Sequence, residues 1–148
     1  MKLPSKTRFA FAAAALIVGG GIAGMTMAEA QRTPSPKGAE VYFIAPADGA
    51  TVSSPVTVKF GLKGMGIAPA GITFENTGHH HLIIDAELPP TNAPIPTDAN
   101  HVHFGKGQSE TTIELKPGKH TLQLLLGDFG HIPHDPVVAS KKITITVK

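Results

Sequence analysis

Three stretches of the chain alternate apolar and polar residues with a period of two. Val56, Val58, Phe60 and Leu62 alternate with Thr57, Lys59 and Gly61; Thr111, Ile113 and Leu115 with Thr112 and Glu114; Ile143, Ile145 and Val147 with Thr144 and Thr146. Successive side chains of a strand point to opposite faces, so this pattern predicts half-buried strands over Val56–Leu62, Glu110–Leu115 and Lys141–Val147. Further strands are predicted at Val41–Ala45, His80–Asp85 and Lys119–Leu126, with a short, weakly patterned one at His101–Phe104. Turn chemistry separates them at Pro46-Ala47-Asp48-Gly49 and Lys116-Pro117-Gly118. No amphipathic helix is expected, because the 16 glycines and 13 prolines interrupt every candidate. Seven short strands in about 100 residues predict an all-β fold, an immunoglobulin-like antiparallel β-sandwich.

The ends of the chain read differently. Lys2, Lys6 and Arg8 form a basic start, Phe9 to Gly24 is apolar and uncharged, and Ala28-Glu29-Ala30 offers the small-x-small pattern of a signal-peptidase site. Residues 1–30 are therefore expected to be a signal peptide, with export by the general secretory route to the periplasm or beyond. The competing reading is an uncleaved anchor, since Phe9 to Ala28 carries no charge, but Gly19, Gly20, Gly21 and Gly24 weaken such a helix. Residues 31–40, rich in proline and polar groups, are expected to be a linker, and residues 41–148 the single domain.

Setting the leader aside changes the charge balance. The whole chain has 13 basic and 11 acidic residues, and residues 1–30 hold Lys2, Lys6, Arg8 and Glu29, which leaves ten of each. A formally neutral domain lacks the basic stripe needed to bind nucleic acid or an anionic membrane. No cysteine is present, so packing alone must stabilise the domain.

Against that background the histidines stand out. Seven of the eight fall in three groups: His79-His80-His81, His101-Val102-His103 and His131-Ile132-Pro133-His134. The neutral imidazole is a common ligand of copper and zinc. In a seven-stranded sandwich of this type, the loops before His79 and after His103, and the loop carrying His131 and His134, lie at one end. The three groups are therefore expected to meet on one rim.

Strand alternation sends His79 and His81 to one face and His80, with Leu82 and Ile84, to the other, so His80 is expected as a core-rim residue. His101 and His103 share a face, the spacing that lets two strand-borne rings grip one ion. The metal set is thus His79, His81, His101, His103, His131 and His134. Each group also has a plain structural reading, in which a ring satisfies loop backbone groups; for His131 and His134, flanking Pro133 with Asp128 and Asp135 nearby, that would be a rigid turn. His120 follows Pro117-Gly118 and is expected to bond back to the backbone in place of a corner tyrosine. Met65, between Gly64 and Gly66, is either a soft ligand for cuprous copper or a residue covering the end of the sandwich.

The residues from Pro46-Ala47-Asp48-Gly49 through His79-His80-His81-Leu82-Ile83-Ile84-Asp85, His103-Phe104-Gly105-Lys106-Gly107-Gln108 and Gly127-Asp128 to His131-Ile132-Pro133-His134-Asp135-Pro136 resemble a family of small exported bacterial domains known only as a domain of unknown function. The resemblance covers nearly all of Val41 to Lys148 and implies an exported sandwich without an assigned activity. Locally, His101-Val102-His103-Phe104-Gly105 is similar to the His-x-His strand of copper-zinc superoxide dismutase, although the two cysteines of that enzyme are missing here.

No Gly-x-Ser-x-Gly elbow, His-Glu-x-x-His helix or glycine-rich phosphate loop is present, which removes the usual hydrolase and nucleotide readings. The residues favour a non-catalytic, exported metal-binding module, with copper first and zinc second, releasing its ion as pH falls below roughly 6.5. The alternative is a structural or adhesive envelope sandwich, its histidines knitting loops and its rim meeting a protein or glycan. A copper redox enzyme is the third reading.

Overall fold

Val56, Val58 and Phe60 point inward from one strand and Leu122, Leu124 and Leu126 from another, and the slab they fill separates two sheets. The computed structural model describes residues 32–148; the expected signal peptide lies outside them. The described chain is all β, and no helix in it is long and apolar enough to cross a membrane.

The strands are β1 (Glu40–Ala45), β2 (Thr51–Val52), β3 (Val56–Lys63), β4 (Gly66–Ile67), β5 (Thr77–Ile84), β6 (His101–His103), β7 (Glu110–Ile113), β8 (Gly118–Gly127) and β9 (Ile143–Val147). The smaller sheet runs β1-β3-β7, and the larger runs β2-β9-β8-β5-β4 with β6 also bonded to β5. The expected seven strands are all found. Two short ones, β2 and β4, add to them, and each pairs in parallel with a neighbour, β9 and β5, so the larger sheet is mixed. Two residues apiece are too few to show alternation, which is why the sequence did not disclose them.

Alternation does its work in β3, whose pattern of buried Val56, Val58 and Phe60 between exposed Thr57 and Lys59 packs one face on the core. Opposite them lie Leu82, Ile84, Leu122, Leu124, Leu126, Ile143, Ile145 and Val147. Each such side chain contributes about 1.5–3 kcal/mol by leaving water. His80 belongs to this slab, with its ring 4.7 Å from that of Phe60. Met65 is half-buried and packs against the same core.

β5 has no exposed phase at all: every residue from Gly78 to Ile84 is buried. Its second face is covered by loops, and there Ile83, Leu125 and Ile95 form a separate small cluster. A strand covered on both faces reads as a continuous run. That second cover is what shields His79 and His81.

Residues 32–37, expected as a linker, are fastened to the β8–β9 loop. Ser35 N donates to Asp135 O and Asp135 N to Thr33 O, both at 2.9 Å, while Arg32 reaches the carbonyls of Pro133 and His134 and pairs with Asp135 at 3.3 Å. Pro34 also forms an isolated β-bridge with Asp135, and composition does not disclose this docking, because the bonds join residues about 100 positions apart.

Candidate metal centre

On the outer face of the larger sheet, β5 lies beside β6, and the register sets His81 directly opposite His103. Their rings stack with centroids 5.1 Å apart and planes 29° from parallel. His79, two residues earlier on β5, adds a third ring on the same face. It lies 4.8 Å from His81 and 5.0 Å from His103. His131 reaches in from the β8–β9 loop, 4.7 Å from His103 and 5.0 Å from His79. One ligand atom from each of the four lies within 4.8 Å of all the others.

Glycines make room for the rings. A Cβ at Gly127, the register partner of His79, would stand 2.8 Å from His81 Cε1, and one at Gly105 would stand 2.3 Å from His103 Cε1. Glycine inside or at the end of a strand marks such close approaches. Gly127 closing the Leu124-Leu125-Leu126 run and Gly105 just after His103-Phe104 were the available sequence signals.

His131 is held at φ 66°. A non-glycine residue in that region carries about 1–3 kcal/mol of strain and persists there only where its surroundings impose it. Asp128 imposes it. The carboxylate is almost fully buried; Oδ1 accepts from Gly130 N (2.8 Å) and Ile132 N (2.9 Å), and Oδ2 from Thr33 Oγ1 (2.6 Å). Asp128 O also accepts from His131 N at 3.0 Å, and His131 O from Ile95 N at 2.8 Å. Asp128 is thus a positioning residue absent from the expected metal set. Asp-x-x-His is too common a spacing to have marked it.

Burial dominates the electrostatics. It lowers His79 to a pKa of about 4 and His81 to about 3, with the neighbouring histidines pushing the same way and Asp128 partly opposing this at His79. His103 is lowered too, by burial and then by His131. These three rings are therefore neutral near pH 7 and have lone pairs to give. His79 Nδ1, both nitrogens of His81 and His103 Nε2 are buried without a hydrogen-bond partner. The histidine proton competes far below the expected value of roughly 6.5, because solvation that would favour the charged ring is missing.

The other two expected ligands lie elsewhere. His101 shares the face of His103 but pairs with Ile83 on β5, one step beyond the cluster, and its Nδ1 bonds Asp98 Oδ1 at 2.8 Å. His134 is fully buried, with Nε2 donating to Thr77 O at 3.2 Å, and packs on Gly78, where a Cβ would meet its Cε1 at 2.9 Å. The expected convergence on a rim is also corrected: the four rings meet beneath loops on a sheet face, because β6 pairs directly with β5.

His120 bonds back to the chain, with Nε2 donating to Lys116 O at 2.8 Å and Nδ1 to Asp85 Oδ2 at 2.6 Å. Both partners can only accept, so both nitrogens carry protons. The Asp85 bond, then the Lys116 carbonyl, raise its pKa accordingly.

A family model described as a domain of unknown function (DUF4399) matches residues 58–148, a span containing all four clustered histidines and Asp128. No curated protein matches the chain, and no solved structure does.

Proposed function

We propose that this chain, which belongs to the DUF4399 family of domains, is an exported module that holds one transition-metal ion, copper or zinc, on His79, His81, His103 and His131. One observation carries the reading: four imidazoles converge within 4.8 Å of one another while several of their buried nitrogens have no hydrogen-bond partner. Leaving a buried polar atom unsatisfied costs about 1–3 kcal/mol, so a purely structural role would gather these rings at a loss. An ion about 2.0–2.1 Å from one nitrogen of each ring offsets part of that loss. Four bonds of that length require nitrogens roughly 3.3 Å apart, so separations of up to 4.8 Å must close by as much as about 1.5 Å.

Four protein ligands fill the coordination of zinc or tetrahedral copper and leave no open position for substrate, which supports carriage or buffering over catalysis. Export to the periplasm rests on the basic and apolar leader of residues 1–30. The test is titration of chelator-treated protein with copper and with zinc. One equivalent should bind, and at 100-fold excess over the dissociation constant should stabilise the fold by about 2.7 kcal/mol. His103→Ala should abolish that gain and His101→Ala should keep it. An unchanged melting temperature with both ions would overturn the proposal.

A further inference from the structure

We infer that the site selects copper in its monovalent state, because four imidazoles, uncharged as ligands, two of them fully buried and two half-buried, fit in their tetrahedral arrangement a closed-shell ion with a single positive charge. This rests on the ion-binding reading above and adds the identity and oxidation state of the ion.

The geometry comes first. The centroid separations among the four rings are 4.8, 5.0, 5.0, 5.1, 6.1 and 4.7 Å. In a square, one opposite pair of separations forms the diagonals, both roughly 1.4 times the edges, and that is the shape divalent copper prefers. Here the three opposite pairs are 4.8 with 4.7, 5.0 with 6.1, and 5.0 with 5.1 Å, so no pair is long in both members. The rings mark the corners of a slightly stretched tetrahedron. Cuprous copper and zinc, both with filled d shells, accept that shape without penalty.

Charge separates those two. The cluster contains four histidines and no carboxylate or thiolate, so the ion keeps its full charge. Asp128 is the acid that acts on His79, and its oxygens are committed to Gly130 N, Ile132 N and Thr33 Oγ1. Arg32, the cation of the docked segment 32–37, is balanced by Asp135. One positive ion opposite Asp128 is neutralised, whereas zinc leaves a surplus charge beside His79 and His81, neither of which touches solvent. The solvation lost on burying an ion grows as the square of its charge, so the divalent ion is opposed far more strongly.

Metal-free protein would be titrated without oxygen, Cu⁺ against bicinchoninate and Zn²⁺ against a chromophoric zinc chelator, for the wild type and for His103→Asp. Cu⁺ should bind at least a hundredfold more tightly than Zn²⁺. His103→Asp puts one negative charge into the ligand set and should shrink that ratio at least tenfold. His131→Asp, on a loop, makes the same change should the strand variant fail to fold. Equal or tighter zinc binding by the wild type, or a ratio that neither aspartate moves, would overturn the selectivity while leaving an ion site standing. Failure to bind either ion would overturn the site itself.

Discussion

His79 Nε2 and His131 Nδ1 stand 3.1 Å apart although 52 positions of sequence separate them. At that distance one nitrogen must carry a proton and the other accept it. An ion bound to both replaces the proton. In the metal-free protein, an imidazole N–H shared between these rings should be visible by NMR and protected from exchange; one equivalent of ion should abolish it. Its survival at saturation would mean that the ion binds elsewhere.

Gly127→Ala places a methyl 2.8 Å from His81 Cε1 and 3.2 Å from Ile95 Cδ1. Overpacking of this kind costs about 1–3 kcal/mol. We expect a denaturant midpoint lowered accordingly and a weaker ion site, because His81 must turn. Gly130→Ala, whose methyl would make only an ordinary 3.5 Å contact with Asp128, is the control and should melt near the wild type.

Asp128→Ala strips the partners from Gly130 N, Ile132 N and Thr33 Oγ1. The loss should be about 1–3 kcal/mol in stability. It should also weaken ion binding at least tenfold by releasing the conformation of His131. The part of that second effect that passes through His131 should disappear in a His131→Ala background, while the part due to the charge of Asp128 beside His79 and the stability loss should remain. Fully additive affinity losses in the double variant would argue that Asp128 does not act through His131.

Acid should unfold the metal-free domain from the inside. The histidine pKa is about 6.5 in an unfolded chain, but burial holds His79 and His80 at about 4 and His81 at about 3 in the folded one. Between those values the unfolded chain binds more protons, so stability rises with pH. It should be full above roughly pH 6.5 and fall steadily as pH drops through 4 and towards 3. His120 has the opposite sign, its raised pKa adding stability at low pH that is lost as pH rises through that value. A single partly exposed ion pair does not outweigh three buried rings. Urea midpoints across pH 4 to 8 measure the slope, which His80→Phe should reduce by removing one of the titrating groups. A flat profile would contradict the account.

Much of the fold was legible one strand at a time. Val56, Val58 and Phe60 alternate because one face of β3 meets the core, and the same logic located β7 and β9, while the runs between turn residues placed β1, β5 and β8, all to within a few residues. It also put His80 on the face opposite His79 and His81, and His120 against the backbone at a corner. β6 was anticipated as a strand although its three residues show little pattern.

Period two assigns a side chain to a face, and local turn chemistry assigns a bend; both are properties of neighbours in sequence. Which of two faces is sealed, and by what, depends on segments far along the chain. The pairing of His81 with His103, the loop that brings His131 back over His79, and the hydrogen bonds that leave His101 with Asp98 and His134 with Thr77 are all of that kind. The sequence by itself determined an all-β chain with alternating faces and a supply of imidazoles. Only the tertiary structure chose four of them, because convergence is set by strand register and loop closure, and neither is encoded within the short windows that periodicity reads.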